Sequence, residues 1–362
     1  MDPAMQYAPS FVIKIKNTEL RHGVTVDVLS VGVTDTCDRP DSFTLTLRDR
    51  TSQPGRFAGG TRLEWMDSNL FDELIEIEIQ MGYVDNLGIK FKGLVSAISP
   101  SFPESGVPTL TVRGFSLYWR LQHERRTKPF KAATDSGIAR ESAEALKLKA
   151  QVDETTAQHP LLSPKNATYA SILTQRAQRI GYELVVKGET LYFQRPLYLT
   201  RPGPALTLEW GRDLRSFTPS LSMYDVVTEV EVRGAQTSTG GNKTPLVGKA
   251  SAGQEQTKLG AQTGAQIARQ HGVNNHLLAE DHNIADQQEA NAVALARLEA
   301  QGMNFISGHG SCIGTPQLVA RTVIELKGLG QRFSGPYYVT SATHTIDAGG
   351  YRTDFEVRRN GR

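Results

Sequence analysis

The sequence predicts a mainly β protein interrupted by a small α+β insertion. Period-two alternation of apolar and polar residues recurs at both ends of the chain. Gly (33) and Pro (17) are frequent and only 39% of residues are hydrophobic, which suits many strands joined by turns rather than a helical bundle. Helix start and stop signals are confined to the middle of the chain and to one stretch before the last strands. At 362 residues the chain is too long for one ordinary core and implies two or three domains.

Residues 1–122 read as a first β domain. Phe11, Ile13 and Ile15 alternate with Val12, Lys14 and Lys16, and Val24, Val26 and Val28 follow Gly23. Phe43, Leu45 and Leu47 form a further run, and Ile75, Ile77 and Ile79 alternate with Glu76, Glu78 and Gln80. Such runs separated by turn residues predict a sandwich or barrel. Gly93 and Gly114 interrupt strands where a bulge or bend would help a sheet curl.

Residues 123–203 change character and predict the α+β insertion, two helices plus a hairpin. Asp135 is placed to cap a helix through Ser136-Gly137-Ile138 into the helix-forming run Ala139–Ala150. A second helix over about Thr168–Ile180 starts after Asn166 and stops at Gly181, a left-handed cap. Tyr182–Val186 and Thr190–Gln194 flank Lys187-Gly188-Glu189, a hairpin by composition and spacing. The charge cluster His123, Glu124, Arg125, Arg126 reads as a solvated linker, with contact to an acidic partner as the alternative.

Residues 204–236 and 303–362 predict a second β domain, and 237–302 a long polar excursion plus a short helix. Leu206 and Leu208 alternate, and Val226–Val232 is strongly β-forming. Gly234 to about Ala285 is poor in apolar residues and reads as a surface loop with one short helix near Ala265–Gln270. Asp286-Gln287-Gln288-Glu289 then reads as a capping box. Ala290, Ala294 and Leu298 share a face flanked by Val293 and Leu295, with Gly302 as the exit. Leu318, Ala320, Thr322, Ile324 and Leu326 alternate with Arg321, Val323, Glu325 and Lys327. In the final strand Tyr351, Thr353, Phe355 and Val357 point one way and Arg352, Asp354, Glu356 and Arg358 the other.

The wording of this last stretch carries a resemblance. Gly314-Thr315-Pro316, Gly328-Leu329-Gly330, Phe333-Ser334-Gly335-Pro336-Tyr337-Tyr338-Val339-Thr340 and His344-Thr345-Ile346 precede Gly350-Tyr351-Arg352-Thr353. The chain resembles the late-control gene D proteins of contractile-tailed phages, relatives of the VgrG proteins of type VI secretion. Phe91–Val95, Ile98-Ser99-Pro100 and Leu110–Phe115 are similar to the first of that family's two tube-like β domains. The resemblance implies two tube-type barrel or sandwich domains and helix-plus-hairpin units on the outside of a ring. It implies a non-enzymatic baseplate hub: a homotrimer of near-sixfold symmetry joining a hexameric tail tube to a trimeric central spike. Other baseplate or wedge proteins would surround it, and DNA or protein cargo would pass through its lumen. The expected location is the baseplate of a virion or injection particle assembled in the bacterial cytoplasm. Because the chain ends at Arg362 soon after the second β domain, a separate spike polypeptide is expected.

The remaining residues assign no catalytic, cofactor or metal site. No apolar run approaches the roughly 20 residues that span a bilayer, and Met1-Asp2-Pro3-Ala4-Met5 has no signal-peptide pattern. A soluble protein made in the cytoplasm is expected. Cys37, in an expected turn, and Cys312, in an expected Gly-rich loop, are too few for a disulfide framework or a cysteine zinc site. Forty basic and 38 acidic residues leave no concentrated nucleic-acid footprint. His271, His276, Glu280, Asp281 and His282 are the best local metal candidates, but their spacing does not put two imidazoles on one helical face beside a Glu. Gly308-His309-Gly310 and Gly328-Leu329-Gly330 fit turns better than phosphate loops, which lie between a strand and a helix. His344 falls on a strand face with Tyr338 and Ala342 and reads as a satisfied interior histidine. Two other functions remain open, a cell-wall hydrolase and a glycan- or receptor-binding protein of the tail tip.

Overall fold

The computed structural model describes residues 8–20, 22–50, 63–201, 203–237, 243–256, 259–281 and 284–362. The expected mainly β class is what forms. Both β regions contribute to one 13-stranded sheet. Its path runs Leu214–Leu221, Ile306–Ile313, Gly350–Arg359, Gly335–Asp347, Val28–Thr36, Ser42–Arg48, Thr109–Ser116, Asn86–Ser101, Glu76–Tyr83, Pro9–Ile15 and Thr18–Glu19. Every neighbour on that path is antiparallel. Off it, Leu206–Glu209 lies parallel to Val323–Lys327, which pairs with Gly335–Asp347.

The two β regions are continuous rather than separate sheets. Gly335–Asp347 pairs directly with Val28–Thr36, from Ser341 opposite Thr36 to Asp347 opposite Ser30. Each region nevertheless fills its own core. Ile13, Val31, Phe43, Leu45, Ile77 and Val112 pack in the first. Leu208, Phe305, Ile324, Tyr337, Val339 and Phe355 pack in the second.

Alternation is obeyed where it was cleanest. In Gly350–Arg359 the residues Tyr351, Thr353, Phe355 and Val357 are buried, while Arg352, Glu356 and Arg358 are exposed. Gly93 and Gly114 lie where adjacent strands come too close for a side chain. A Cβ on Gly114 would stand 2.0 Å from the Leu94 carbonyl oxygen, and one on Gly93 would stand 2.2 Å from that of Phe115. The register of this pair shifts between Val95 and Ala97, a local bulge in the long strand Asn86–Ser101.

Two strand expectations change. The alternation from Leu318 to Leu326 becomes a strand only over Val323–Lys327, because Arg321 takes a left-handed φ of 68° that a ladder does not accept. Leu318 and Ala320 are buried from a loop instead. Gly308 and Gly310, expected in a turn, lie inside the strand Ile306–Ile313, as does Cys312. There the missing side chains make room for the rings of Phe217 and Phe355.

In the insertion, helices Asp135–Ala145 and Tyr169–Arg179 pack on the hairpin Glu183–Lys187 and Thr190–Gln194 around Phe130, Ile138, Leu173, Leu191 and Phe193. The first helix stops earlier than its composition suggests, and Lys149–Val152 is a strand parallel to Thr190–Gln194. Its cap is Thr134, whose hydroxyl accepts from the Gly137 N–H at 3.1 Å, and not Asp135. Gly181 does end the second helix at φ 69°.

Residues 237–302 hold more regular structure than an excursion. Lys243–Ser251 and His276–Glu280 flank Glu229–Thr237 in a three-stranded sheet, and the helix Gln287–Gly302 lies across it. Small residues hid this core from an apolar count. Gly248 lets the Ala290 backbone come so near that a Cβ would meet its carbonyl oxygen at 2.0 Å. Ala250, Ala290 and Ala294 complete the contact with Val230, Val232, Val293 and Leu298. The short helix expected near Ala265–Gln270 forms over Gly264–Gln270, with a capping box between Thr263 and Gln266.

Candidate functional site

The densest buried chemistry lies where the insertion meets the helix Gln287–Gly302. Arg176 and Arg179 stand three residues apart on the helix Tyr169–Arg179, so both guanidinium groups leave from one face. Arg176 donates through Nε to Asp135 and contacts His159 Nε2. Arg179 donates to Asp281 and to Glu289. The His159 Nε2 atom stands 3.8 Å from Asp135 and 3.6 Å from Glu289, closing the row. All six residues are buried. The second Glu289 oxygen accepts from the Ala285 N–H at 2.6 Å and ties down the approach to its helix. Only half of the expected capping box is therefore made: Asp286 accepts from the Glu289 N–H at 2.8 Å, and Glu289 turns to Arg179. Gly302 is the last helical residue, with Met303 following in a right-handed conformation.

Three carboxylates facing two guanidinium groups make an ionic lock. Burial alone would raise the Asp135 pKa, but the neighbouring His159 and the Arg176 guanidinium outweigh it and hold the carboxyl below its usual range. Asp135, His159 and Glu289 also offer three possible metal-ligand atoms within 4.8 Å of one another. The donor set does not fit a cation. Arg176 and Arg179 already donate to these atoms, and a divalent ion would sit against both positive charges.

A cavity of about 400 Å³ opens beside the lock, between Ile180-Gly181-Tyr182, Glu154-Thr155 and the helix face carrying Ala292, Ala296 and Glu299. Its charged rim is mostly acidic, with Arg195 the cation. Each acid has a protein donor: Glu154 pairs with Arg140, and Glu299 accepts from the Gln256 N–H at 2.8 Å.

The structure separates the residues whose spacing had already argued against a metal site. His271 caps the helix Gly264–Gln270 and is exposed, and His276 and Glu280 are exposed at opposite ends of one strand. Asp281 turns inward to Arg179, and His282 lies outside the described residues. Asp135 and Glu289 were expected only as helix-capping residues, and His159, Arg176 and Arg179 carried no expectation. Their signal was present, since Arg176 falls on the apolar stripe of Tyr169, Ile172, Leu173 and Ile180.

His344 is fully buried, with Nδ1 2.8 Å from the Tyr351 hydroxyl and Nε2 3.0 Å from the Leu318 carbonyl oxygen. The carbonyl requires Nε2 to carry the proton, so Nδ1 accepts from Tyr351. Burial pushes its pKa down to about 4, so the ring stays neutral as a satisfied interior group. Burial likewise pushes the free Cys37 and Cys312 thiols up to about 12, which leaves them unreactive. The Arg125-Arg126 pair braces the insertion. Arg126 bonds Glu141 at 2.6 Å and covers the Phe130 ring, and Arg125 donates to the Asn166 carbonyl at 2.8 Å.

A second polar junction joins the hairpin to the large sheet. Lys187 meets Asp35 and Asp41, while Arg321 Nε lies 2.8 Å from Glu183, which also accepts from the Tyr338 hydroxyl at 2.5 Å.

The model of the family described as the Alg8 N-terminal domain matches residues 6–348. The chain belongs to that family. No curated protein matches the sequence. Among solved structures, the 43 kDa tail protein of prophage MuSo2 from Shewanella oneidensis superposes with a TM-score of 0.70 at 13% identity, over 98% of this chain and 99% of that one. The tail protein from Neisseria meningitidis MC58 gives 0.70 at 12%, over 98% and 97%. The E. coli c3393 protein, a component of the type VI secretion system, gives 0.57 at 10%, over 96% of this chain and 76% of that one. The member of the Alg8 N-terminal domain family described here thus shares the fold of phage-tail proteins through nearly its whole length. No helix among the described residues is long and apolar enough to cross a membrane.

Proposed function

We propose that the chain is a structural, non-enzymatic baseplate component of a contractile tail or injection system, acting as the hub between tail tube and central spike. The observation that carries this reading is the continuous sheet with two cores side by side. Three such chains would present six cored β regions. A ring of them could face a hexameric tube with near-sixfold symmetry and a trimeric spike with true threefold symmetry. Leu214–Leu221 ends the sheet path, leaving an edge that a neighbouring copy could cover. The likeness to tail proteins and to a type VI secretion component supports a particle role, as does the resemblance of the C-terminal motifs to late-control gene D and VgrG proteins. On this reading the tube protein, the spike and other baseplate proteins are partners, the lumen passes DNA or protein cargo, and assembly occurs in the bacterial cytoplasm. A coupling role of this kind requires no turnover. Native mass spectrometry of the purified protein and averaged images of particle tips test it. Three copies in a ring on the tube axis are expected, and a monomer in solution together with no threefold density at the tip overturns it.

A further inference from the structure

We propose that Lys187 and Asp35 condense into an intramolecular isopeptide bond, with Asp41 as the proton-transfer group. The three side chains come from separate parts of the fold. Asp35 lies in the strand Val28–Thr36 at the middle of the large sheet, and Asp41 stands just before the next strand. Lys187 ends the first arm of the hairpin, where Gly188 turns the chain at φ 54°.

The geometry supplies each part that amide formation needs. The Lys187 Nζ contacts Asp35 Oδ1 and stands 2.9 and 2.8 Å from the two Asp41 oxygens. The other Asp35 oxygen accepts from the Ala320 N–H at 3.1 Å, so a fixed donor faces the atom that would carry negative charge during attack. The Thr36 N–H holds Asp41 Oδ1 at 3.1 Å. Side-chain exposure is 15% for Asp35, 11% for Asp41 and 30% for Lys187, so bulk water is largely displaced. Holding amine and carboxyl in contact replaces a slow encounter with a local one.

Protonation states suit the chemistry. Burial pushes the Asp41 carboxyl up to about 8, and burial with the nearby Arg321 charge draws the Lys187 amine down to about 7. Transfer of a proton from the Lys187 ammonium to Asp35 Oδ1 across their contact leaves a neutral amine, which attacks the Asp35 carboxyl carbon, forming a C–N bond and breaking the bond from carbon to Oδ1. Asp41 gives a proton to the departing hydroxyl and takes one from the nitrogen, so one water leaves and Asp41 ends unchanged. No oxidant or cofactor enters. The product is a covalent tie between the insertion hairpin and the central strand of the sheet, independent of any role in a tail.

Intact-mass measurement of the denatured full-length protein tests the bond. The expected mass is that of the sequence less one water, with a branched peptide joining the Lys187 and Asp35 segments after digestion. Lys187→Arg and Asp35→Ala should both restore the full sequence mass. Asp35→Asn should instead lose one ammonia, a signature an ion pair cannot produce. Asp41→Asn should slow or abolish the loss while circular dichroism shows the fold retained. A folded wild-type protein of full sequence mass overturns the proposal and leaves an ion pair only.

Discussion

Replacing Arg179 by Met should be among the most damaging single changes in the molecule. The guanidinium sits between Asp281 and Glu289, which are 9% and 5% exposed. Removing it takes from both carboxylates a positive charge that faces them, inside a site too dry for water to replace it. Breaking a buried pair in this way costs about 3–5 kcal/mol. Arg233 is the internal control: it bonds Glu231 at 2.7 Å, but its side chain is 59% exposed. Its loss should cost far less, because the Arg233 head already lies in solvent and Lys249, 3.1 Å from the same carboxylate, remains to pair with Glu231. Urea unfolding followed by tryptophan fluorescence compares the two variants in the transition that includes the insertion. A triple variant, Arg179→Met with Asp281→Leu and Glu289→Leu, should recover most of the loss, since it removes the stranded charges as well as their partner. The reasoning fails if Arg179→Met and Arg233→Met unfold at the same urea concentration. It also fails if the triple variant is less stable than the single one.

Other changes separate backbone and titration effects. Unfolded His344 regains the ordinary pKa of 6.5, against about 4 in the fold. Its neutral burial therefore contributes fully above pH 6.5, and the contribution falls away as the pH drops toward 4, by roughly 3 kcal/mol at most. His344→Gln should flatten that part of the stability profile in a pH series of urea melts, and an unchanged slope would count against it. Gly114→Ala should destabilise by more than about 3 kcal/mol, because its Cβ would lie 2.0 Å from a carbonyl oxygen that belongs to the ladder. Gly188→Ala meets no atom within 4 Å and should cost only about 1 kcal/mol for its φ of 54°, so equal losses at the two sites would refute the distinction. Thr134→Ala should cost about 1 kcal/mol through the lost N-cap, read by the same melts, with Thr134→Ser retaining most of it.

Legibility in the sequence followed the size of the side chains. Ile77, Ile79, Phe355 and Val357 announce their strands because each buries a large apolar group on alternate positions. The strand Lys243–Ser251 was hidden because Gly248 and Ala250 do the packing, and small residues carry no hydropathic signal even where the backbone contact is closest. Tertiary context also overrode local rules at Asp135 and Glu289. Both stand at helix starts, where each would ordinarily serve its helix's own backbone; Asp135 turns instead to Arg176, and Glu289 gives one oxygen to Arg179 and the other to the Ala285 N–H. The ionic lock was illegible for a related reason: its members come from five segments spread between residues 135 and 289, and no spacing rule links them. Arg176 alone interrupts an apolar stripe, and that is the residue-level hint the helix offered.

The pairing of Thr34 with Thr343 spans 309 positions along the chain. At roughly 5–20 residues per second a ribosome delivers the later partner about 15–60 seconds after the earlier one. For that interval the edge of Val28–Thr36 has no mate from its own polypeptide, a bare template to which any nascent neighbour could add itself. Crowded polysomes should consequently favour tangled products, and slowing initiation, so that growing chains are spaced apart, should raise the recovered yield.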